Sequence, residues 1–152
     1  MTRGSNDDRG QGHLLRHRRH AGHRHSGRYA RFDQGFALLD WTLAMLDAAL
    51  RSGARLGIIS NTGDFPGSMI TPLLDEAGIK RFFEPDLLIC SKDVGHTKDT
   101  PTIFRLAAAR AGCADDEHAC LFVGEDGAER QTAATAGLRS LAPPVFDFSE
   151  AG

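Results

Sequence analysis

Residues 87–104 read LLICSKDVGHTKDTPTIF and join a predicted strand to a predicted helix. The short apolar run at residues 87–90 predicts a buried β-strand. Thr100-Pro101 has the order of a capping residue followed by proline that is typical of a helix start, and Gly112 marks the end of that helix. Lys98 therefore lies in the loop between a buried strand and a helix.

The same alternation of strand and helix continues on both sides of this stretch. Upstream, the pattern predicts a helix over 36–52, a strand over 56–60 and a helix from Pro66 to Gly78. The apolar face predicted for the first of these helices consists of Phe36, Leu39, Leu43, Leu46 and Leu50. Downstream, it predicts a strand over 119–123, a helix over 128–136 and a strand over 138–141. Alternation of this kind favours parallel strand pairing with right-handed crossovers. We expect a three-layer α/β sandwich around a Rossmann-like parallel sheet.

Composition excludes several classes of protein. Of the 152 residues, 41% are hydrophobic and 25% are charged, which is typical of a globular domain. No apolar run approaches the ~20 residues of a membrane-spanning helix, and no apolar signal-peptide core follows Met1. Three cysteines, an odd number without paired spacing, argue against a disulfide scaffold or a zinc ribbon. We expect a reducing, cytoplasmic setting.

Residues 1–35 differ in character from the predicted α/β core of residues 36–152. Residues 1–28 contain seven arginines against two aspartates, and they hold five of the seven histidines. With almost no apolar side chains to bury, this arm is predicted to be disordered. Nucleic-acid binding through the arginines, metal binding through the histidines and a leader without function are the three interpretations of it.

Polar side chains follow three of the predicted strands, at the point where each strand ends. They are Ser60, Asn61 and Thr62 after the first strand, Lys98 after the second, and Glu125, Asp126 and Glu129 after the third. In open parallel sheets, ligands bind just beyond these carboxyl ends. A hydroxyl beside turn amides and a lysine suit a phosphate, and grouped carboxylates suit Mg²⁺. Ordinary turn chemistry, a solvated lysine and an acidic first helical turn are the alternative explanations of these features, and they need no ligand.

The order of these features resembles the haloacid dehalogenase (HAD) superfamily. Residues 56–61 are similar to its second motif, residues 91–104 to its third and residues 122–126 to its fourth, and the resemblance extends over residues 36–142. It implies a hydrolase that acts on phosphate esters. The residues to which it assigns roles are Ser60 and Lys98 as catalytic groups, Asn61 and Thr62 as substrate-binding groups, and Glu125, Asp126 and Glu129 as Mg²⁺ ligands.

The first motif of that family is not found in this sequence. In the family it is a buried strand that ends in Asp-x-Asp, and its first aspartate is the nucleophile. The nearest candidate is Asp33, which lacks the second aspartate and follows the sequence Arg-Tyr-Ala-Arg at residues 28–31, a poor buried strand. The fourth motif also has Glu125 where aspartate is usual. We therefore expect an α/β core that is incomplete at its N-terminal side.

The sequence favours a Mg²⁺-dependent phosphatase of a small phosphorylated metabolite, with little or no turnover by this chain alone. A truncated or degenerate HAD-like domain without catalysis is one alternative, and a protein that contacts nucleic acid through its basic arm is a less favoured one. No membrane partner is expected. In the family, the first-motif strand lies between the strands that end here at Ser60 and Val123. Its loss predicts marginal stability together with self-association or a complementing chain.

Overall fold

The computed structural model describes the backbone of residues 15–17 and 36–148 and the side chains of residues 38–148. Its first two strands are β1 (Leu15–His17) and β2 (Phe36–Leu38), which pair antiparallel with Leu15 opposite Leu38. Residues 15–17, which belong to the basic arm, thus have a partner strand in β2. The rest of the predicted disordered arm lies outside the described residues.

Strands and helices alternate through the remainder of the chain, as the sequence predicts. The strands are β3 (Ile58–Ser60), β4 (Leu88–Cys90), β5 (Leu121–Val123) and β6 (Arg139–Leu141). The helices are α1 (Thr42–Arg51), α2 (Ile70–Glu76), α3 (Ser91–Val94), α4 (Pro101–Arg110) and α5 (Gly127–Thr135). Thr100 precedes α4, but its hydroxyl donates to the carbonyl of Thr97 at 3.2 Å instead of capping the helix.

The strands form two separate parallel pairs. β3 pairs with β4, with Ile59 opposite Ile89, and β5 pairs with β6, with Phe122 opposite Ser140. Parallel pairing is thus confirmed. Within the part of the chain that the structure describes, no strand joins the two pairs, so the predicted sheet is interrupted between β3 and β5.

Helices cover both faces of these strands and produce the predicted three layers. Ile58 packs against a buried cluster that includes side chains of α1 and α2, whereas its neighbour Ile59 packs against a second cluster formed largely by α4 and α5. Successive residues of a strand point to opposite faces, so the two clusters lie on opposite sides of the β3–β4 pair. The fold is an α/β sandwich.

Helix α1 departs from its predicted extent and face. The prediction of one helix over 36–52 is wrong at its start, because residues 36–38 form β2. The helix buries Thr42, Met45, Leu46 and Ala49. This set follows the i, i+3, i+4, i+7 spacing of a helix face, and it leaves Leu43 and Leu50 exposed by 47% and 45%.

Candidate functional site

Lys98 is held at the carboxyl end of β3. Its backbone N–H donates to Oδ1 of Asn61, the residue that follows β3, at 2.9 Å. Its side chain is 0% exposed, and its Nζ lies 3.1 Å from Oε2 of Glu129 in the first turn of α5. These contacts bring the end of β3, the loop before α4 and the segment after β5 to one edge of the strands.

The Lys98–Glu129 pair is nearly free of solvent. Burial lowers the pKa of Lys98 from its usual value, and the carboxylates of Glu129 and Asp126 oppose that change by attracting the ammonium charge. An ion pair without water interacts strongly, but each charge depends on the other because its desolvation is costly. The pair therefore holds one positive and one negative charge in fixed positions at the carboxyl ends of the strands.

The acidic loop after β5 is organised by backbone contacts. Oδ1 of Asp126 accepts a hydrogen bond from the backbone N–H of Glu129 at 3.0 Å, which makes Asp126 the N-cap of α5. The guanidinium of Arg130 donates to the carbonyls of Gly124 and Glu125 at 2.7 and 2.8 Å. The cap fixes the first turn of α5, and with it the position of Glu129, while the side chain of Glu125 remains exposed.

The two residues predicted to contact substrate form hydrogen bonds that hold this edge together. Oδ1 of Asn61 accepts the hydrogen bond from the backbone N–H of Lys98. The backbone N–H of Thr62 donates to Oγ of Ser91 at 2.8 Å, and its own Oγ1 accepts from the N–H of Lys92 at 3.4 Å. Thr62 thus ties the end of β3 to the end of β4. The catalytic prediction at Ser60 falls on a buried side chain at the last position of β3.

Two residues to which the sequence assigned no role also shape this edge. Ser91 directly follows β4 and accepts from Thr62. Asp93 accepts a hydrogen bond from the N–H of Gly67 at 2.9 Å through its Oδ2. Ser91 ends a predicted strand, as Ser60 does, and it begins the stretch that resembles the third family motif. No local pattern indicates the long-range contact of Asp93.

Comparison with known families decides the assignment. The sequence model of the haloacid dehalogenase-like hydrolases matches residues 4–137, which is most of the chain. The chain belongs to this family. No curated protein matches it. Among solved structures, it is similar to a HAD-superfamily hydrolase from Ehrlichia chaffeensis, with 22% sequence identity and a TM-score of 0.60.

The chain aligns with only part of the Ehrlichia HAD-superfamily hydrolase. The match covers 73% of this chain and 55% of that one. At this identity the likeness shows the fold alone, and it agrees with the predicted α/β class. No helix within the described ranges has the length and apolar character that crossing a membrane would require.

HAD-like hydrolases generally use Mg²⁺, and the donor set of this chain accommodates it only in part. No cluster of three or more acidic, histidine or cysteine side chains that could hold a metal occurs among the described residues. Glu129 is paired with Lys98, so its carboxylate already faces a cation. Glu125 and Asp126 remain as candidate ligands. Two carboxylates are enough for Mg²⁺, which usually retains several waters and binds substrate phosphate as well.

Proposed function

We propose that this HAD-like chain forms the phosphoryl-binding part of a Mg²⁺-dependent phosphatase that acts on a small phosphorylated metabolite. The observation that supports this proposal is the buried Lys98 ammonium at the carboxyl edge of parallel strands. A preorganised positive charge shielded from water stabilises negative charge that develops on a phosphoryl group far better than a solvated lysine does.

Each polar group of the edge has a role in this proposal. Ser60 donates a hydrogen bond to an oxygen of the phosphoryl group, and Lys98 neutralises the charge of that group. Asn61 and Glu129 are positioning residues, because they hold the backbone and the ammonium of Lys98. Glu125 and Asp126 would hold Mg²⁺, which would neutralise further phosphate charge when bound.

The proposal requires a nucleophile that the described residues do not supply. In a covalent phosphatase, a carboxylate attacks phosphorus and forms an intermediate that water then hydrolyses. Within residues 15–17 and 36–148, no strand lies between β3 and β5 to present such a carboxylate to Ser60 and Lys98. Asp33 lies outside the described residues. The same gap favours the second candidate, a HAD-like domain that binds phosphate without turnover.

Hydrolysis of p-nitrophenyl phosphate, measured with and without Mg²⁺, separates the two candidates. We expect turnover at or near the background rate for the chain alone. Mg²⁺-dependent turnover that is lost in Asp33→Asn would make Asp33 the nucleophile and the chain a complete phosphatase. If Mg²⁺-dependent turnover is found, its persistence at the same rate in Ser60→Ala and in Lys98→Met would contradict the assigned site.

The cellular location belongs to this proposal as well. Cys90, Cys113 and Cys120 are all free thiols. We infer a reducing compartment, the cytoplasm, where such thiols persist.

A further inference from the structure

An apolar cavity of about 400 Å³ separates the two strand pairs. We call it the inter-strand cavity. Two opposite walls are strands, represented by Ile58 and Ile59 of β3 and by Leu121 and Val123 of β5. The other two walls are helices: α1 contributes Met45, Leu46 and Ala49, and α4 contributes Ala107 and Ala108.

The strand walls run in the same direction. The residue after β3, Asn61, bonds the loop of Lys98, and Lys98 in turn pairs with Glu129 in the helix that follows β5. The carboxyl ends of β3 and β5 therefore lie at the same edge. β3 pairs with β4 on one side and β5 pairs with β6 on one side, and no described strand pairs with the edges that face the cavity.

Burial along these strands shows that the cavity is a gap in the core. Ile58, Ile59, Leu121 and Val123 are all only partly buried, although inner strands of a parallel sheet are normally covered on both faces. Other side chains that line the cavity are buried, such as Ile89 of β4 at 2% exposure. Ile58, Ile59, Leu121 and Val123 are thus the more open part of its lining.

We propose that the inter-strand cavity binds an extended, uncharged, aliphatic segment of a second polypeptide, which becomes an additional β-strand between β3 and β5. A strand in this position hydrogen-bonds on both sides, as in recognition by β-augmentation. Its alternate side chains point to the two helices. The three-residue strands at either side span roughly 10 Å, so about three residues of the added strand lie between them.

The N-terminal residues of this chain have the wrong chemistry for the occupant. Residues 1–35 contain no apolar run longer than two residues. Residues 28–31, immediately before Phe32, read Arg-Tyr-Ala-Arg. A guanidinium placed in an apolar cavity without a partner carries a large desolvation penalty. An uncharged strand from a separate polypeptide avoids that penalty.

Amide hydrogen exchange of the full chain tests this proposal with a synthetic peptide as the probe. The peptide acetyl-KVLVAVKK-amide carries a short aliphatic run with lysines for solubility. The matched control, acetyl-KVLPAVKK-amide, keeps most of the apolar character but loses a backbone donor and cannot continue a ladder. We expect the first peptide to slow exchange in β3 and β5 at least tenfold and to raise the melting temperature, and the proline peptide to do neither.

A variant that fills the cavity provides a second readout. Ala107→Phe places a ring in the inter-strand cavity, and we expect it to abolish the effect of the aliphatic peptide. If this variant does not fold, the comparison of the two peptides on the wild-type chain still decides the question. Equal effects of both peptides, or no effect of either, would overturn the proposal, since the cavity would then be a general apolar pocket or closed.

Two other occupants give different results in the same experiment. Strong protection of β3 and β5 in the full chain without peptide, at all protein concentrations, would show that the chain fills its own cavity and would overturn the proposal. Protection that rises with protein concentration would show that a second copy of the chain occupies the cavity. That result would also overturn the proposal. These readouts need no phosphate or Mg²⁺, so their failure is distinguishable from failure of the proposed phosphatase function.

Discussion

Removal of the carboxylate of Glu129 perturbs the buried ion pair directly. In Glu129→Ala, Lys98 keeps its buried position but loses the carboxylate 3.1 Å from its Nζ. Breaking one side of a buried pair typically costs about 3–5 kcal/mol, because the remaining buried charge loses the partner that offsets its desolvation. The expected loss is therefore a large share of the roughly 5–15 kcal/mol that stabilises a whole domain.

The chain contains a matched control for this experiment. Arg51 and Asp47 form an ion pair on α1 whose side chains are 76% and 52% exposed, against 0% and 6% for Lys98 and Glu129. Solvent screens such a pair, so Asp47→Ala is expected to cost less than ~1 kcal/mol.

Urea denaturation at neutral pH, with the free energy of unfolding taken from the linear extrapolation, compares the variants. The double variant Lys98→Met, Glu129→Leu removes both charges, and we expect it to recover most of the loss. If Glu129→Ala is unfolded in buffer, recovery in the double variant still supports the reasoning. Equal small losses in Glu129→Ala and Asp47→Ala would refute it.

Three further predictions concern close packing, a buried thiol and overall stability. A Cβ at Gly57 would lie 2.7 Å from the Cβ of Leu87, so Gly57→Ala should lower the melting temperature clearly, whereas Gly127→Ala, which meets only an ordinary contact at 3.5 Å, should change it little. Burial raises the pKa of Cys90 to about 11. In a variant with Cys90 as the only cysteine, the alkylation rate of the thiol should therefore rise up to that pH. The free energy of unfolding should fall as the pH rises from about 9 to 11, because the thiol ionises more readily in the unfolded chain than in the folded one. The chain with its cavity unfilled should unfold below ~60 °C, and a cooperative, concentration-independent transition above that temperature would count against the gap.

Strand-and-helix order could be predicted from the sequence because each element has its own local signal. The apolar runs at β3, β4 and β5 and the glycines at helix ends mark the elements within a few residues. The face of α1 could not be predicted, since Phe36 and Leu39 have helical spacing with Leu43 but precede the helix. Only tertiary packing distinguishes the face containing Met45 from the face containing Leu43.

The candidate site was predictable in its residues and less so in their contacts. Lys98 and Glu129 could be named as candidate site residues because both follow apolar strands. Whether Glu129 faces a metal or Lys98 depends on the distance between two loops 31 residues apart, which no local pattern encodes. The roles of Asn61 and Thr62 as internal supports depend in the same way on contacts with the loop after β4.

The most direct test of the phosphoryl site is a calorimetric titration of inorganic phosphate into the full chain in the presence of Mg²⁺. We expect saturable binding to the wild-type chain. We also expect binding about 10- to 100-fold weaker in Ser60→Ala, because a hydrogen bond to a charged group is worth roughly 1.5–3 kcal/mol. Absence of phosphate binding by the folded wild-type chain, or equal affinity in Ser60→Ala, would contradict the assignment of this edge as a phosphoryl site.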